Sequence, residues 1–213
     1  MDCVSFATAK SEQSEEIRKF MLDYFYAHEP TNQSYIYGKD PAPEDVEFSI
    51  RFLNLGLGVV ALSSEGKVVG LSLGYVGELD DAAAMRNIAD RSLDEKFRDI
   101  MRFLAVIQEG ANIQAQFGVT KIYEIQMLAV HPDYCGQSIG TELTKKQIDI
   151  AIDRGFEAVY ADCSSVYSAK IMEKLGFECV HEIAFADYRN QQGVQIFKTD
   201  SIHTGLQSFF KRL

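Results

Sequence analysis

The sequence has few of the residues that metal centres and disulfide scaffolds need. Its four cysteines, Cys3, Cys135, Cys163 and Cys179, form no CxxC pair and no zinc-type spacing. Its four histidines show no metal-ligand spacing either. We therefore predict reduced thiols, no bound metal and a cytoplasmic location.

Long apolar runs are also missing. No stretch reaches the roughly 18–20 residues that cross a bilayer, and the start of the chain lacks the basic and apolar regions of a secretory signal. The chain has only four prolines, no repeat and no low-complexity segment. These absences predict a single domain over residues 1–213 that has no membrane partner.

Positive charge is in deficit. The 21 lysines and arginines face 31 aspartates and glutamates, so the formal net charge is −10. Such a chain is a poor partner for nucleic acid, whose phosphates require a basic patch. The negative field suits a cationic small molecule, although an acidic surface that only aids solubility explains the charge equally well.

The hydrophobic periodicity predicts an α/β fold. Apolar runs predict strands at residues 3–7, 59–62, 68–76, 122–130, 158–163, 177–186 and 194–197. Helical spacing predicts helices at residues 11–29, 44–54, 138–154 and 165–175, a polar loop at 31–43 and a helical insertion at 80–117. Because hairpins alternate with strand–helix–strand units, we expect a mixed sheet of about seven strands flanked by helices. The insertion precedes the central strand.

The segment from residue 125 to residue 154 is a candidate anion site. An apolar strand enters a loop that contains Gly136 and Gly140, and the loop enters a helix. A helix start offers unpaired N–H groups and a positive dipole end, and glycine lets a ligand approach the backbone. Since neither GxxxxGK[ST] nor GxGxxG is present, the segment predicts either a pyrophosphate cradle or an ordinary strand–turn–helix connection.

The run LAVHPDYCGQSIGTEL in this segment resembles the acetyl-CoA loop of GNAT acetyltransferases, which has the pattern [QR]-x-x-G-x-[GA]. Gly140 keeps the pattern, while Cys135 and Ser138 replace its usual first residue and first glycine. The resemblance implies the GNAT fold and acetyl-CoA as co-substrate. The implied cofactor contacts are Leu128, Ala129, Val130, Cys135, Gly136, Gln137, Ser138, Ile139 and Gly140.

Further stretches narrow the resemblance to insect-type arylalkylamine N-acetyltransferases. They are MLDYFYAHEPTN at residues 21–32, SSVYSAKIMEKLGF at residues 164–177 and FKTDSIHTGLQ at residues 197–207. Met172 stands where most GNAT members carry a tyrosine, so a tyrosine general acid is absent from that slot. The resemblance implies that Glu29 is the general base and that Ser164 and Ser168 assist proton transfer.

An acetyltransferase of this kind needs a base, because an alkylammonium has a pKa of about 10.4. We expect direct attack by the amine in a ternary complex. Aromatic faces bind both a cation and an aryl ring, so Tyr24, Tyr35 and Tyr37 are candidate substrate contacts. Glu124 is a candidate substrate contact as well as a second candidate base.

Three other functions stay open. The first is acetylation of a polyamine or another alkylamine, and the second is an acetyl-CoA-binding module without catalysis. The third is a serine hydrolase, because residues 136–140 read G-x-S-x-G around Ser138, followed by Asp162 or Asp187 and by His203. For the acetyltransferase we expect a small-molecule amine as substrate, no nucleic-acid or membrane partner, and a monomer or weak homodimer.

Overall fold

A computed structural model describes residues 4–77 and 81–213, and its strands form one seven-stranded sheet. The strands are β1 (Ser5–Thr8), β2 (Val59–Leu62), β3 (Val68–Gly77), β4 (Ile122–Val130), β5 (Ala158–Cys163), β6 (Glu178–Ala184) and β7 (Gly205–Arg212). The strand order is β1-β2-β3-β4-β5-β7-β6. Every neighbouring pair is antiparallel except β4 and β5. The predicted mixed sheet is therefore confirmed.

Helices cover both faces of this sheet. They are α1 (Ser14–Phe20), α2 (Pro30–Ser34), α3 (Pro43–Ile50), α4 (Asp81–Arg91), α5 (Glu95–Ala111), α6 (Ile113–Phe117), α7 (Ile139–Asp153) and α8 (Val166–Lys174). Helices α4 to α6 form the predicted insertion before the central strand, although its predicted first residue, Asp80, lies outside the described residues. None of the described helices is both long and apolar enough to span a membrane.

The last strand differs from the sequence-based prediction. Residues 194–197 do not form a strand, and Phe197 makes only an isolated bridge to Tyr35 while its ring is buried in an aromatic cluster. The strand is Gly205–Arg212, which pairs with both β5 and β6. Its alternation is hidden because Leu206, Ser208, Phe209 and Phe210 are all buried. A strand that is covered on both faces loses the period of two that the prediction relied on.

The segment around residue 30 also differs from the sequence-based prediction. The helical turn after α1 is π-helical over Met21–Tyr26, and the chain then starts a new helix at Pro30 instead of the predicted loop. Proline is favoured at the first helical position, because its missing N–H would have no partner there. Glu29 is consequently the N-terminal cap of α2, not the end of the preceding helix. At the other end, Cys3 of the predicted strand 3–7 lies outside the described residues.

A close contact between β3 and β4 fixes the centre of the sheet. The Tyr123 ring crosses β3 at Gly74, and its hydroxyl donates to the Leu57 carbonyl. A Cβ atom at Gly74 would collide with this ring. Tyr123 itself is fully buried. Glycine is therefore required at position 74 to let the tyrosine pass.

We expect Gly74→Ala to lower the free energy of unfolding by about 1–3 kcal/mol, the usual cost of overpacking a core. Urea unfolding monitored by circular dichroism measures the change. Gly70→Ala on the same strand is the control, because the three atoms nearest to its Cβ would be side-chain carbons at 3.0–3.1 Å, which need to give by only a few tenths of an ångström. Equal losses in the two variants would contradict the role assigned to Tyr123.

Candidate active site

A cavity of about 1230 Å³ opens beside the middle of the sheet. Its walls come from the end of the π-helical turn, from α3, from β3 and β4, and from the starts of α7 and α8. Eight aromatic side chains contribute to the lining, namely Tyr24, Phe25, Tyr26, Phe48, Phe52, Tyr75, Tyr134 and Tyr167. The cavity is large enough for a nucleotide-sized ligand and a small amine together.

The cavity exists because β4 and β5 separate. Their parallel pairing covers only Ile122–Ile125 against Ala158–Ala161, although β4 continues to Val130. Opposite β3, the register shifts between Leu73 and Gly74, which leaves Gln126 as a bulged residue of β4. A bulge bends its strand and increases the local twist. The backbone of β4 after Gln126 therefore faces the cavity without a strand partner on the β5 side.

The predicted phosphate loop lies at this opening. Leu128, Ala129, Val130 and Ile139 line the cavity together with Cys135, Gly136, Ser138 and Gly140, and only Gln137 of the nine predicted contacts is not a lining residue. Helix α7 is 15 residues long, so its N-terminus presents free N–H groups and a full dipole end to this region. Ser138 is its N-cap residue and has φ +62°, in the left-handed region.

The structure brings Glu29 and Ser164 together, although they are 135 residues apart in sequence. The Ser164 hydroxyl donates to Glu29 Oε1 at 2.6 Å. The backbone N–H of Thr31 donates to the same oxygen at 2.8 Å, and that of Asn32 donates to Oε2 at 2.6 Å. Both residues line the cavity. The capping role of Glu29 thus aims its carboxylate across the cavity at the start of α8.

The two neighbouring serines have different contacts. Ser168 lines the cavity, and its hydroxyl donates to the Ser165 carbonyl at 2.8 Å. Ser165, not Ser164, caps α8, because its side chain accepts a hydrogen bond from the N–H of Tyr167. Ser164 is therefore free of a capping role and available to Glu29.

Only one of the three tyrosines predicted to contact the substrate lies at the cavity. Tyr24 lines the cavity, but Tyr35 and Tyr37 do not. Tyr35 is buried elsewhere, where its hydroxyl donates to Asp99 Oδ2 at 3.0 Å, and Tyr37 lies 64% exposed on the surface. These two tyrosines are close to Glu29 in sequence but do not reach the cavity, because α2 turns the chain away after Ser34. The geometry gives no support to a substrate-binding role for these two tyrosines.

Glu124 lies in the cavity wall as part of a buried acidic group. The Gln108 side chain donates to Glu124 Oε1 at 3.0 Å and to Asp162 Oδ2 at 3.4 Å. Hydroxyls of Tyr160 and Ser208 donate to Asp162 Oδ1 at 2.6 and 2.7 Å. Burial raises the pKa of Glu124 well above its usual range, and the nearby Asp162 raises it further. Burial likewise raises the pKa of Asp162 to about 6.

A second polar chain crosses the cavity wall from β4 to α3. The Gln126 amide donates to Ser49 Oγ at 2.7 Å, and Ser49 Oγ lies 3.2 Å from the Tyr26 hydroxyl. That hydroxyl donates to Asp45 Oδ1 at 3.1 Å. Burial raises the pKa of Asp45 to about 7. All four side chains line the cavity.

Sequence reasoning missed several of these residues. Asp45, Tyr75 and Gln126 belong to no motif, and their elements were predicted without any sign of which face meets the cavity. His203 also lines the cavity, and its Nδ1 accepts the Val166 N–H at 3.2 Å. Asp162 and His203 had been singled out only for another chemistry, that of a serine hydrolase.

That other chemistry, a serine hydrolase, does not match the geometry. Ser138 is the last residue of the eight-residue connection between β4 and α7, so it does not lie in a sharp turn directly after the strand. The base expected for it, His203, instead accepts from a backbone N–H. Within the parts of the chain that the structure describes, Ser138 makes no hydrogen bond to a histidine.

Comparison with known proteins identifies this chain as an acetyltransferase. Residues 15–177 match the Acetyltransferase (GNAT) family. The crystal structure of a mosquito arylalkylamine N-acetyltransferase like 5b is 32% identical with a TM-score of 0.96, covering 99% of this chain and 100% of that chain. Arylalkylamine N-acetyltransferase 2 from Aedes aegypti is 27% identical with a TM-score of 0.89, covering 98% of both chains.

A polyamine N-acetyltransferase from Drosophila melanogaster, which catalyses the formation of N-acetylagmatine, shares the fold. It is 23% identical with a TM-score of 0.93, covering 99% of this chain and 100% of that chain. The family match spans most of the chain, and the 32% identical structure spans nearly all of it. The protein with this cavity therefore belongs to the GNAT family of acetyltransferases.

Proposed function

We propose that this GNAT enzyme transfers an acetyl group from acetyl-CoA to a small arylalkylamine, with Glu29 as the general base. One contact supports the proposal above all others, the 2.6 Å hydrogen bond from Ser164 to Glu29 in the wall of the aromatic cavity. It joins the two stretches that resemble insect-type enzymes. The similarity to the two mosquito structures supports an arylalkylamine as substrate.

The cavity fits acetyl-CoA. The start of α7 provides N–H groups for the phosphates, and the unpaired backbone of β4 at Leu128–Val130 provides hydrogen bonds for the amide-containing arm. When bound, acetyl-CoA supplies an acetyl group that is already activated as a thioester, so no covalent enzyme nucleophile is needed. Backbone N–H groups near Met127 to Ala129 are the donors that we propose for the carbonyl oxygen.

The protons move through the chain's own side chains. The amine arrives as an ammonium and gives one proton to Glu29, either directly or through Ser164 Oγ. In the second route Ser164 accepts the amine proton while its own hydroxyl proton passes to Glu29 along the existing hydrogen bond. The nitrogen that attacks the thioester loses its second proton to Ser168 Oγ, while the Ser168 hydroxyl proton passes to the leaving sulfur, so Ser168 ends as a neutral hydroxyl. For this exchange Ser168 turns away from the Ser165 carbonyl.

A polyamine is the second candidate substrate. The acidic group of Glu124 and Asp162 forms no ion pair with a cation of the described residues, and both side chains line the cavity. A dication could place one nitrogen at Glu29 and a second at this group. Glu124 is also the alternative base, since burial raises its pKa and thus its affinity for a proton.

The remaining proposals rest on composition and pattern. We propose a cytoplasmic enzyme with one domain over residues 1–213, a monomer or weak homodimer without nucleic-acid or membrane partners. A non-catalytic acetyl-CoA-binding module is the alternative from another functional class.

The amine preference is tested by acetyl-CoA-dependent thiol release with tyramine, dopamine, serotonin, tryptamine, spermidine, putrescine and a lysine peptide. We expect kcat/KM to be about tenfold or more higher for the aromatic amines, because burial of one ring contributes about 1.5–3 kcal/mol. Faster turnover of polyamines, weakened selectively by Glu124→Gln, would favour the second candidate. Binding of acetyl-CoA without turnover of any amine would favour the binding module.

Replacing the base provides the second test. We expect Glu29→Gln to lower kcat by about 100- to 10,000-fold, the usual contribution of general base catalysis. Initial rates with the best amine of the panel measure the loss. Glu47→Gln, on an exposed carboxylate that pairs with Arg18 at the surface, is the control of equal charge change. An unchanged kcat in Glu29→Gln would move the base to Glu124.

Ser138 is strained in the phosphate loop. Its φ of +62° lies in the left-handed region, where an L-residue other than glycine costs about 1–2 kcal/mol. The family pattern places a glycine in this slot, which needs no such strain. Gln137, next to it, is not among the described residues with positive φ. Replacement by glycine would therefore relieve backbone strain at position 138 but not at position 137.

We expect Ser138→Gly to raise the free energy of unfolding by up to about 1 kcal/mol, since the relieved strain exceeds the entropy cost of glycine. Gln137→Gly is the matched control and should lower it by about 0.5–1 kcal/mol. Urea unfolding of the two variants measures both changes. A loss of stability in Ser138→Gly would show that the serine side chain holds the loop.

A further inference from the structure

The carboxylate of Glu29 has little capacity left for a substrate cation. It accepts hydrogen bonds from Thr31, Asn32 and Ser164, and an ionised carboxylate offers about four lone-pair sites. A primary ammonium carries three N–H donors. Glu29 can satisfy about one of them in addition to its own partners. The ammonium therefore needs another acceptor in the same part of the cavity.

Asp45 is placed to be that acceptor. Its Oδ1 accepts the Tyr26 hydroxyl at 3.1 Å, while its Oδ2 accepts no hydrogen bond from the described residues. The Tyr26 carbonyl accepts the Asn32 amide at 2.8 Å, and the Asn32 backbone N–H donates to Glu29. Tyr26 and Asn32 thus connect Asp45 with Glu29. The side chains of Asp45 and Glu29 both line the cavity.

The pair carries uncompensated negative charge. In the described part of the chain no lysine, arginine or histidine nitrogen forms an ion pair with Glu29 or Asp45. The cation whose charge acts on both is Lys96. Its Nζ, however, donates to the carbonyls of Gly38 and Asp40 at 2.8 Å each. A partly desolvated carboxylate without a paired cation attracts a positive ligand strongly.

We propose that Asp45 binds the charged amine of the substrate, with Oδ2 accepting one ammonium N–H, while Tyr26 holds the carboxylate in place. The inference rests on the proposed function and names the chemical class that the site selects, a protonated amine. Asp45 takes no proton in this step. Its contribution is to bind and orient the ammonium so that another of its N–H groups points at Glu29 or Ser164.

This role predicts a pH dependence. The groups that face Asp45 are Tyr26 and Glu29 from the chain around α2, and Asp94 and Lys96 from the start of α5. Burial raises the pKa of Asp45 to about 7, the Tyr26 hydrogen bond and Lys96 oppose the rise, and the charges of Glu29 and Asp94 add to it. Only the ionised carboxylate attracts a cation. Because the amine itself stays protonated up to a pH of about 10, its KM should fall as the pH rises through about 7.

The test compares wild type with Asp45→Asn, which keeps the shape and the acceptor for Tyr26. We expect KM for tyramine to rise by about 10- to 100-fold, the value of a hydrogen bond to a charged group. In contrast, kcat should change by less than about threefold, and KM for acetyl-CoA should not change, since the contact forms in the ground state. The fall of KM between about pH 6 and about pH 8 should disappear in the variant. Glu47→Gln on the same helix is the control, because this exposed residue is outside the cavity.

A second readout separates binding of charge from a structural role. N,N-dimethyltyramine is a cation that cannot be acetylated, and its carbon isostere, with CH in place of the nitrogen, is neutral. Asp45→Asn should weaken inhibition by the cation and leave inhibition by the neutral isostere unchanged. Tyr26→Phe, which removes the hydrogen bond but keeps the charge, should raise KM less than Asp45→Asn does.

Several results would overturn the proposal. They are an unchanged KM in Asp45→Asn, equal weakening of both inhibitors, or equal effects of Tyr26→Phe and Asp45→Asn. If Asp45→Asn does not fold, the pH profile of KM in the wild type decides, and a flat profile contradicts the proposal. A wild type that acetylates no amine would instead contradict the proposed function.

Discussion

The separation of β4 from β5 is the constraint on which the rest of the site depends. Two parallel neighbours in the middle of a sheet normally pair along their whole length, but these pair only as far as Ile125 and Ala161. The bulge at Gln126 bends β4 away, and the polar backbone that would have been covered by β5 faces a cavity. The free N–H groups at the start of α7 border the same opening. In the proposed complex with acetyl-CoA, these backbone groups let a protein with a net charge of −10 hold the phosphates without a basic patch.

The same opening brings the proposed catalytic side chains together. Glu29 reaches the cavity because Pro30 starts a new helix, and a helix start turns its capping side chain back towards its own N–H groups. Ser164 reaches it from the end of β5, just before the capping Ser165. The contact costs little additional order on the Glu29 side, because that side chain is already held by the N–H groups of the helix that it precedes. In the proposed mechanism, the capping of α2 and the role of Glu29 as base thus use the same local geometry.

Acidic side chains line the cavity at two places, and these two places differ in the number of hydrogen-bond donors around the carboxyl groups. Glu124 and Asp162 are enclosed by hydroxyl and amide donors, and their pKa values are raised by burial. Asp45 has one hydroxyl donor, its other oxygen accepts no hydrogen bond from the described residues, and it lines the same cavity as Glu29. A ligand cation resolves this imbalance, whereas an anionic or neutral ligand does not. The aromatic walls add a preference for flat and cationic groups.

The sequence by itself determined the fold class, six of the seven strands, the helical insertion and the loop that borders the cofactor cavity. Apolar periodicity and glycine placement are local properties, so they can be read residue by residue. It also singled out Glu29, Ser164 and Glu124, all of which line one cavity.

Only the tertiary structure decided which of these side chains meet. It excluded Tyr35 and Tyr37 from the cavity and moved the last strand to Gly205–Arg212. It also added Asp45 and Gln126 to the cavity wall, although no spacing marks them, and it placed His203 there without a contact to Ser138 among the described residues. Their positions depend on a bulge, on a helix that starts at a proline, and on strands far apart in the chain. Long-range packing of this kind leaves no periodic signal in the sequence, because any polar residue on the correct face would look the same.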